Sequence, residues 1–257
     1  MEKGFKNKRG QIAVFVVIAL VLTAIIVLVF LARNKLTAII AGEPPIEQFK
    51  KCAKDAAEQG LAVLSTQGGS INPENYFLYK GNKINYLCYT EENYKQCIMQ
   101  KPLLKQAIET ELETYIQPKI NGCLNSLKSK LTKKGYEVEY NPPKIQAELF
   151  PNNLLITLNN FDLVINKDST QTYSTLKIDS KTKLYDLVII SSSIANWEAR
   201  YGKAEIMNYM MYYPSLKVER IPQDEGTDIY ILTNTKTQDK FMFASRSMAV
   251  PVGVTGE

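Results

Sequence analysis

The 257-residue chain contains no histidine. That absence removes Ser-His-Asp and Cys-His nucleophile activation, imidazole metal ligation and imidazole pH switching together. Its four cysteines, Cys52, Cys88, Cys97 and Cys123, form no C-x-x-C pair. A zinc site would need all four thiolates at intervals of 35, 8 and 25 residues, without the short pairs from which such sites are built. No metal and no cofactor is expected. No asparagine opens an N-x-S/T sequon, so N-glycosylation at that signal is not expected. A phosphate loop is also missing: Gln67-Gly68-Gly69 follows a helical pattern rather than a strand, and no Lys-Ser/Thr succeeds it. The adjacent acids Glu91-Glu92 and Asp224-Glu225 read as solvated loop charges rather than an acid/base pair. No residue is therefore assigned a catalytic role, and the chain reads as non-enzymatic.

Charge of one sign is scarce where a basic chain would be expected to carry it. The formal charge is +5, but residues 1–35 hold six Lys/Arg and one Glu, and the other 25 Lys/Arg cancel 25 Asp/Glu. A neutral remainder lacks the basic footprint of nucleic-acid binding, so nucleic acid is not an expected partner. The basic end suits anionic lipid headgroups on a cytoplasmic face instead.

Directly behind Lys3, Lys6, Lys8 and Arg9 come 22 residues without a charge, from Gln11 to Ala32. At 1.5 Å rise per residue they would span roughly 33 Å as a helix, enough to cross a hydrocarbon core. The segment is built from Ile, Val, Leu, Phe and Ala, and a helix satisfies its backbone internally. The predicted organisation is a basic cytoplasmic leader (1–10), a transmembrane helix (11–35), a linker (36–45) and one extracytoplasmic domain (46–257). The cations of the leader are the topology determinants, holding the N-terminus in the cytoplasm by the positive-inside rule. A removable secretory signal fits poorly: the apolar run exceeds the usual 7–15 residues, and Phe30-Leu31-Ala32 and Ile39-Ile40-Ala41 place bulky residues where cleavage needs small ones.

Lys8-Arg9-Gly10-Gln11, followed at once by the uncharged run, resembles the class III signal of archaeal type IV pilins and archaellins. The resemblance implies cutting between Gly10 and Gln11 by a prepilin-type peptidase, with the apolar helix kept on the mature protein. The fifth residue after that cut is Phe15, where bacterial-type pilins carry a glutamate. An uncleaved signal anchor and a processed pilin-like subunit are both left open.

Four cysteines beyond the apolar run fit two disulfides in an oxidising compartment. The pairing favoured is Cys88–Cys97, closing a short local loop, with Cys52–Cys123 stapling two predicted helices. A helix is predicted from about Ile46 to Thr66, ended by Gly68-Gly69. Strands follow at Tyr76–Tyr79 and Ile84–Tyr89 around a turn at Gly81-Asn82. An amphipathic stripe from Leu104 to Leu131 predicts a long helix that Pro118 should kink or divide. From Gly135 the period becomes two, and strands at 136–140, 144–150, 154–159 with 161–166, and 172–178 predict an antiparallel meander. Helices at about 183–200 and 203–212 and a hairpin of 228–234 with 240–245 complete the expectation, and the tail from Ala249 reads as poorly ordered. The run Met207-Asn-Tyr-Met-Met-Tyr-Tyr213 is read as core filling, with an exposed protein-contact patch as its alternative. The fold class is α+β.

Two motifs, Lys51-Cys52-x3-Ala56-x3-Gly60-Leu61-x2-Leu64-x2-Gln67-Gly68-Gly69 and Leu87-Cys88-Tyr89-Thr90, are similar to an uncharacterised family of membrane-anchored proteins in small-genome archaea. That resemblance implies an anchored architecture and carries no activity. The sequence is thus read as a single-pass membrane-anchored surface or binding protein with the lipid bilayer and a surface protein, or its own copies, as partners. A type IV pilin-like filament subunit is the alternative, and an extracytoplasmic enzyme a remote third.

Overall fold

The structure, a computed structural model, describes residues 17–28, 44–167 and 169–248. Two compact units divide the chain, Met1–Gln48 and Phe49–Glu257. In the first, residues 17–28 are helical and expose their Val, Ile and Leu side chains. Among the described residues no helix is long and apolar enough to cross a membrane. The rest of the predicted span, the cations Lys3, Lys6, Lys8 and Arg9, the Gly10-Gln11 junction and the tail from Ala249 lie outside the described residues.

The folded part is α+β. Helix α1 (Pro45–Thr66) starts at a proline, whose missing N–H is no loss in a first turn. It ends where Gly68 and Gly69 take φ of +67° and +80° and the Gly69 N–H reaches the Leu64 carbonyl at 2.8 Å, a Schellman-type close. A Cβ on Gly68 would lie 2.9 Å from the Asn85 carbonyl oxygen, so this cap packs directly on a strand backbone. Helix α2 (Leu104–Thr132) buries Leu104, Ile108, Leu112, Ile116, Ile120, Leu124, Leu127 and Leu131, the predicted stripe. Pro118 does not divide it. The proline removes one intrahelical donor, and the buried stripe continues past it from Ile116 to Ile120. At Gly60 the two helices approach closely: a Cβ there would meet Leu112 Cδ1 at 2.6 Å and Tyr115 Cδ1 at 2.8 Å.

Strands β1 (Tyr76–Tyr79) and β2 (Asn82–Tyr89) form an antiparallel pair joined through Lys80 and Gly81, both at positive φ. The turn therefore sits one residue earlier than predicted. A two-residue type I′ turn needs φ > 0 at both central positions and leaves Asn82 to pair with Tyr79. A short strand β3 (Ile98–Met99) returns beside β2.

The predicted single meander is not formed. The region instead makes six strands: β4 (Glu137–Glu139), β5 (Lys144–Phe150), β6 (Asn153–Asn159), β7 (Leu163–Asn166), β8 (Thr170–Tyr173) and β9 (Leu176–Lys181). They alternate between two antiparallel three-stranded sheets, β4-β7-β8 and β5-β6-β9. The chain leaves one sheet for the other at Asn160-Phe161-Asp162, where Asn160 and Asp162 adopt positive φ, which short polar side chains tolerate. Phe161 between them is fully buried and stacks on Phe49 at 5.3 Å. Burying that ring breaks the two-residue period and ends the strand. The edge strand β5 is closed by α2: Glu109 and Glu113 accept the Leu149 and Ala147 N–H groups at 2.7 and 2.9 Å, so side-chain carboxylates stand where a further strand would pair.

Helix α3 (Leu184–Tyr201) packs on β12, β2 and β11, and α4 (Ile206–Tyr212) on β10. Strand β10 (Leu216–Pro222) was not anticipated, although its Leu-Lys-Val-Glu alternation buries Leu216 and Val218. It joins β11 (Thr227–Asn234) and β12 (Lys240–Arg246) in a sheet of order β1-β2-β12-β11-β10, in which β12 runs parallel to β2. The parallel pairing joins Ala244 with Tyr86, far apart in sequence, and leaves no local signature.

Candidate functional site

Both predicted disulfides are formed. Cys52–Cys123 ties α1 to α2 with Cα atoms 6.0 Å apart, and Cys88–Cys97 closes the β2–β3 loop at 5.3 Å. Glu91, Glu92, Asp224 and Glu225 are exposed, as loop charges should be. Among the described residues no group of three His, Cys, Asp or Glu is placed to hold a metal ion.

Helix α3 carries the groups that sequence reasoning did not single out. Its buried stripe runs Leu184, Leu187, Val188, Ser191, Ile194, Ala195 and then Glu198, an acid in a core position and 1% exposed. Both of its carboxylate oxygens are occupied, one by the Tyr230 hydroxyl and the other by the Ser245 hydroxyl. Tyr230 is itself fully buried and stacks on Phe243 at 4.9 Å. Burial pushes the Glu198 carboxyl above the ordinary carboxylate range; neighbouring Asp228 adds to that, and the hydrogen bonds from Ser245 and Tyr230 oppose it. Burial, then the Glu198 charge, likewise raises the Tyr230 phenol. The available signal was a polar residue continuing an apolar i, i+3, i+4 pattern.

This buried cluster fixes the chain that leaves α3. The Glu198 carbonyl accepts from the Gly202 N–H at 3.0 Å and the Ser247 hydroxyl at 3.4 Å. Lys203 pairs with buried Asp228 at 3.4 Å, and the Arg220 guanidinium donates to the Ala204 carbonyl at 3.2 Å. The anchored turn then delivers Glu205 and α4.

Helix α4 buries none of its residues. The core-filling reading of Met207–Tyr213 is therefore corrected: Met207 is 62% exposed, Met211 77%, Tyr212 83% and Tyr213 51%. The helix packs on the edge strand β10, and among the described residues nothing further covers it. Two tethers hold α4 in place, the Tyr209 hydroxyl on Ser193 Oγ at 2.9 Å and Met210 Sδ accepting the Val218 N–H at 3.4 Å. On the outer face of α3, Trp197 and Tyr201 are also exposed, their rings 4.7 Å apart and tilted by 49°. Between the helices lies a cavity of about 200 Å³ lined by Trp197, Glu205, Asn208, Tyr209 and Tyr212. Aromatic and methionine side chains are the residue types enriched at protein interfaces in general. Buried Glu198, with both oxygens taken by protein hydroxyls, is equipped to position this surface.

Searches against protein-family models, curated proteins and solved structures found no match to the chain.

Proposed function

We propose that this chain is a single-pass, membrane-anchored, non-catalytic binding protein whose extracytoplasmic domain docks a partner on the α3–α4 face. The observation that carries the reading is the exposure of Trp197, Tyr201, Met207, Met211, Tyr212 and Tyr213 on two neighbouring helices, with Trp197 and Tyr212 lining one cavity. A face of that composition gains from being covered, because each apolar Å² removed from water contributes about 25 cal/mol. Anchoring draws its support from the uncharged run behind Lys3, Lys6, Lys8 and Arg9, and from the helical, apolar residues 17–28. Two disulfides support an oxidising location outside the cytoplasm. Protease added to intact spheroplasts should digest residues 44–248 and leave the basic leader protected; a protected domain with an accessible leader would overturn the topology.

The pilin-like reading has its own observation, the Lys8-Arg9-Gly10-Gln11 junction placed directly before the apolar run. In that case Gly10→Val leaves an uncut precursor, since a branched side chain blocks the scissile position.

A further inference from the structure

We propose that the cavity between α3 and α4 receives a cationic side chain, lysine or arginine, presented by a partner protein. The inference rests on the reading of this face as a docking surface and specifies the chemistry that the surface takes.

Three observations carry it. The cavity joins the rings of Trp197, Tyr209 and Tyr212 to one carboxylate, Glu205, and one amide, Asn208. Electron-rich ring faces beside a carboxylate are the arrangement that attracts a cation, and the indole is the strongest of the rings. Glu205 is exposed and has no hydrogen-bond or ion-pair partner among the described residues, while nearby Lys203 is committed to Asp228. Elsewhere six tyrosines lie under the domain's own cations, Lys80 on Tyr79, Lys83 on Tyr76, Lys119 on Tyr115, Lys128 on Tyr140, Lys167 on Tyr136 and Arg246 on Tyr89, so this chain uses the contact repeatedly although not at every exposed tyrosine. Among the described residues no such cation lies over Trp197, Tyr209 or Tyr212. This aromatic group, lining one cavity with a carboxylate that has no partner among the described residues, is thus left open to a cation from outside.

Rival occupants fit less well. An apolar anchor would bury the Glu205 carboxylate with no countercharge, which is unfavourable. A sugar stacks on aromatic faces but needs a fan of polar groups; the Tyr209 hydroxyl is engaged with Ser193, which leaves Glu205 and Asn208. A cavity of about 200 Å³ suits the end of one side chain.

Trp197 is the one tryptophan of the sequence, so its fluorescence reports this cavity alone. The full chain in mild detergent is titrated with a nonapeptide of alternating Lys and Ser, with the all-Ser peptide, with N-acetyl-leucinamide and with glucose. The expected result is a saturable Trp197 response to the lysine peptide alone. That response weakens as salt rises, and Glu205→Gln lowers the affinity by up to about fivefold, the range of an exposed ion pair. Tyr212→Ala lowers it by a similar factor. A lysine response unchanged by Glu205→Gln and by salt overturns the proposal, as does an equal response to the leucine or sugar probe, or no response to any of them. A photo-crosslinking residue at Met211 in native membranes separates the two levels of the argument. A discrete adduct that survives Glu205→Gln keeps the docking face and rejects the cation; the absence of any adduct rejects the face itself.

Discussion

Removing the Cys52–Cys123 bridge should destabilise the domain almost wholly through its unfolded state. The bridge closes a span of 71 residues, whereas Cys88–Cys97 closes 9. The loop-entropy relation gives about 4.4 kcal/mol for the first and about 2.6 kcal/mol for the second at 25 °C. Burial then acts in the opposite order. Cys52 is exposed and Cys123 is buried at 7%, so only one of the two replacements meets the core and the Ala and Ser losses should differ less than at the inner pair. Cys88 and Cys97 are buried at 0% and 3%. Ala there forfeits about 0.8 kcal/mol per lost CH₂-sized group, and Ser adds about 1–3 kcal/mol for each buried hydroxyl left without a partner. The Ala and Ser double variants should therefore diverge less at 52/123 than at 88/97. Urea unfolding of the full chain in mild detergent, followed by Trp197 fluorescence, measures both, and loss of the long bridge should also raise the urea dependence as the unfolded chain expands. A loss of about 1 kcal/mol or less at 52/123 refutes the unfolded-state account. An Ala–Ser gap there as large as that at 88/97 refutes the burial argument.

Glu198→Ala should destabilise by about 2–5 kcal/mol because it strands two buried hydroxyls, those of Tyr230 and Ser245. Glu198→Gln should lose much less, since its amide can still meet both. Because folded Glu198 keeps its proton to a higher pH than the unfolded chain does, the native state binds more protons in that window. Its contribution is complete below the unfolded carboxylate range and is lost as pH rises through the raised folded value; thermal melts across pH should show this slope in the wild type and not in Glu198→Gln. Gly68→Ala should cost about 2–4 kcal/mol, since its positive φ adds to a 2.9 Å approach to the Asn85 backbone. Gly81→Ala, with nothing within 4 Å of the new Cβ, should cost only the conformational part, about 1–2 kcal/mol. Equal losses at the two glycines, read from urea midpoints, would show that the close packing of the α1 cap contributes nothing.

What was legible in the sequence was local. The α2 stripe, the α1 cap at Gly68-Gly69, the strand at 144–150 and the Cys88–Cys97 loop follow from spacing within one or two elements, and the long Cys52–Cys123 bridge was within reach only because four cysteines allow just three pairings. What was not legible depends on partners distant in the chain. The alternation from Tyr136 to Ile178 is compatible with one sheet or two, and the burial of Phe161 against Phe49, over a hundred residues away, decides it. The parallel pairing of β2 with β12 has the same character. At the candidate site the limit is different: a run of Met and Tyr at helical spacing looks the same whether it fills a core or faces outward. The structure decides it: α4 lies on the edge strand β10 and buries none of its residues. Glu198 was hidden for the converse reason, because a charged residue in a helix is ordinarily a solvated one.

The central claim is a stationary anchor that carries an outward-facing binding surface, and the mature N-terminus tests it most directly. An anchor needs Lys3, Lys6, Lys8 and Arg9 to hold the helix end at the headgroups, since drawing each through hydrocarbon costs about 2.5–3.5 kcal/mol on insertion scales. Mass spectrometry of the abundant form from native membranes should therefore find an intact terminus at Met1 or Glu2. A terminus at Gln11 would contradict the anchor and move the chain to the filament reading.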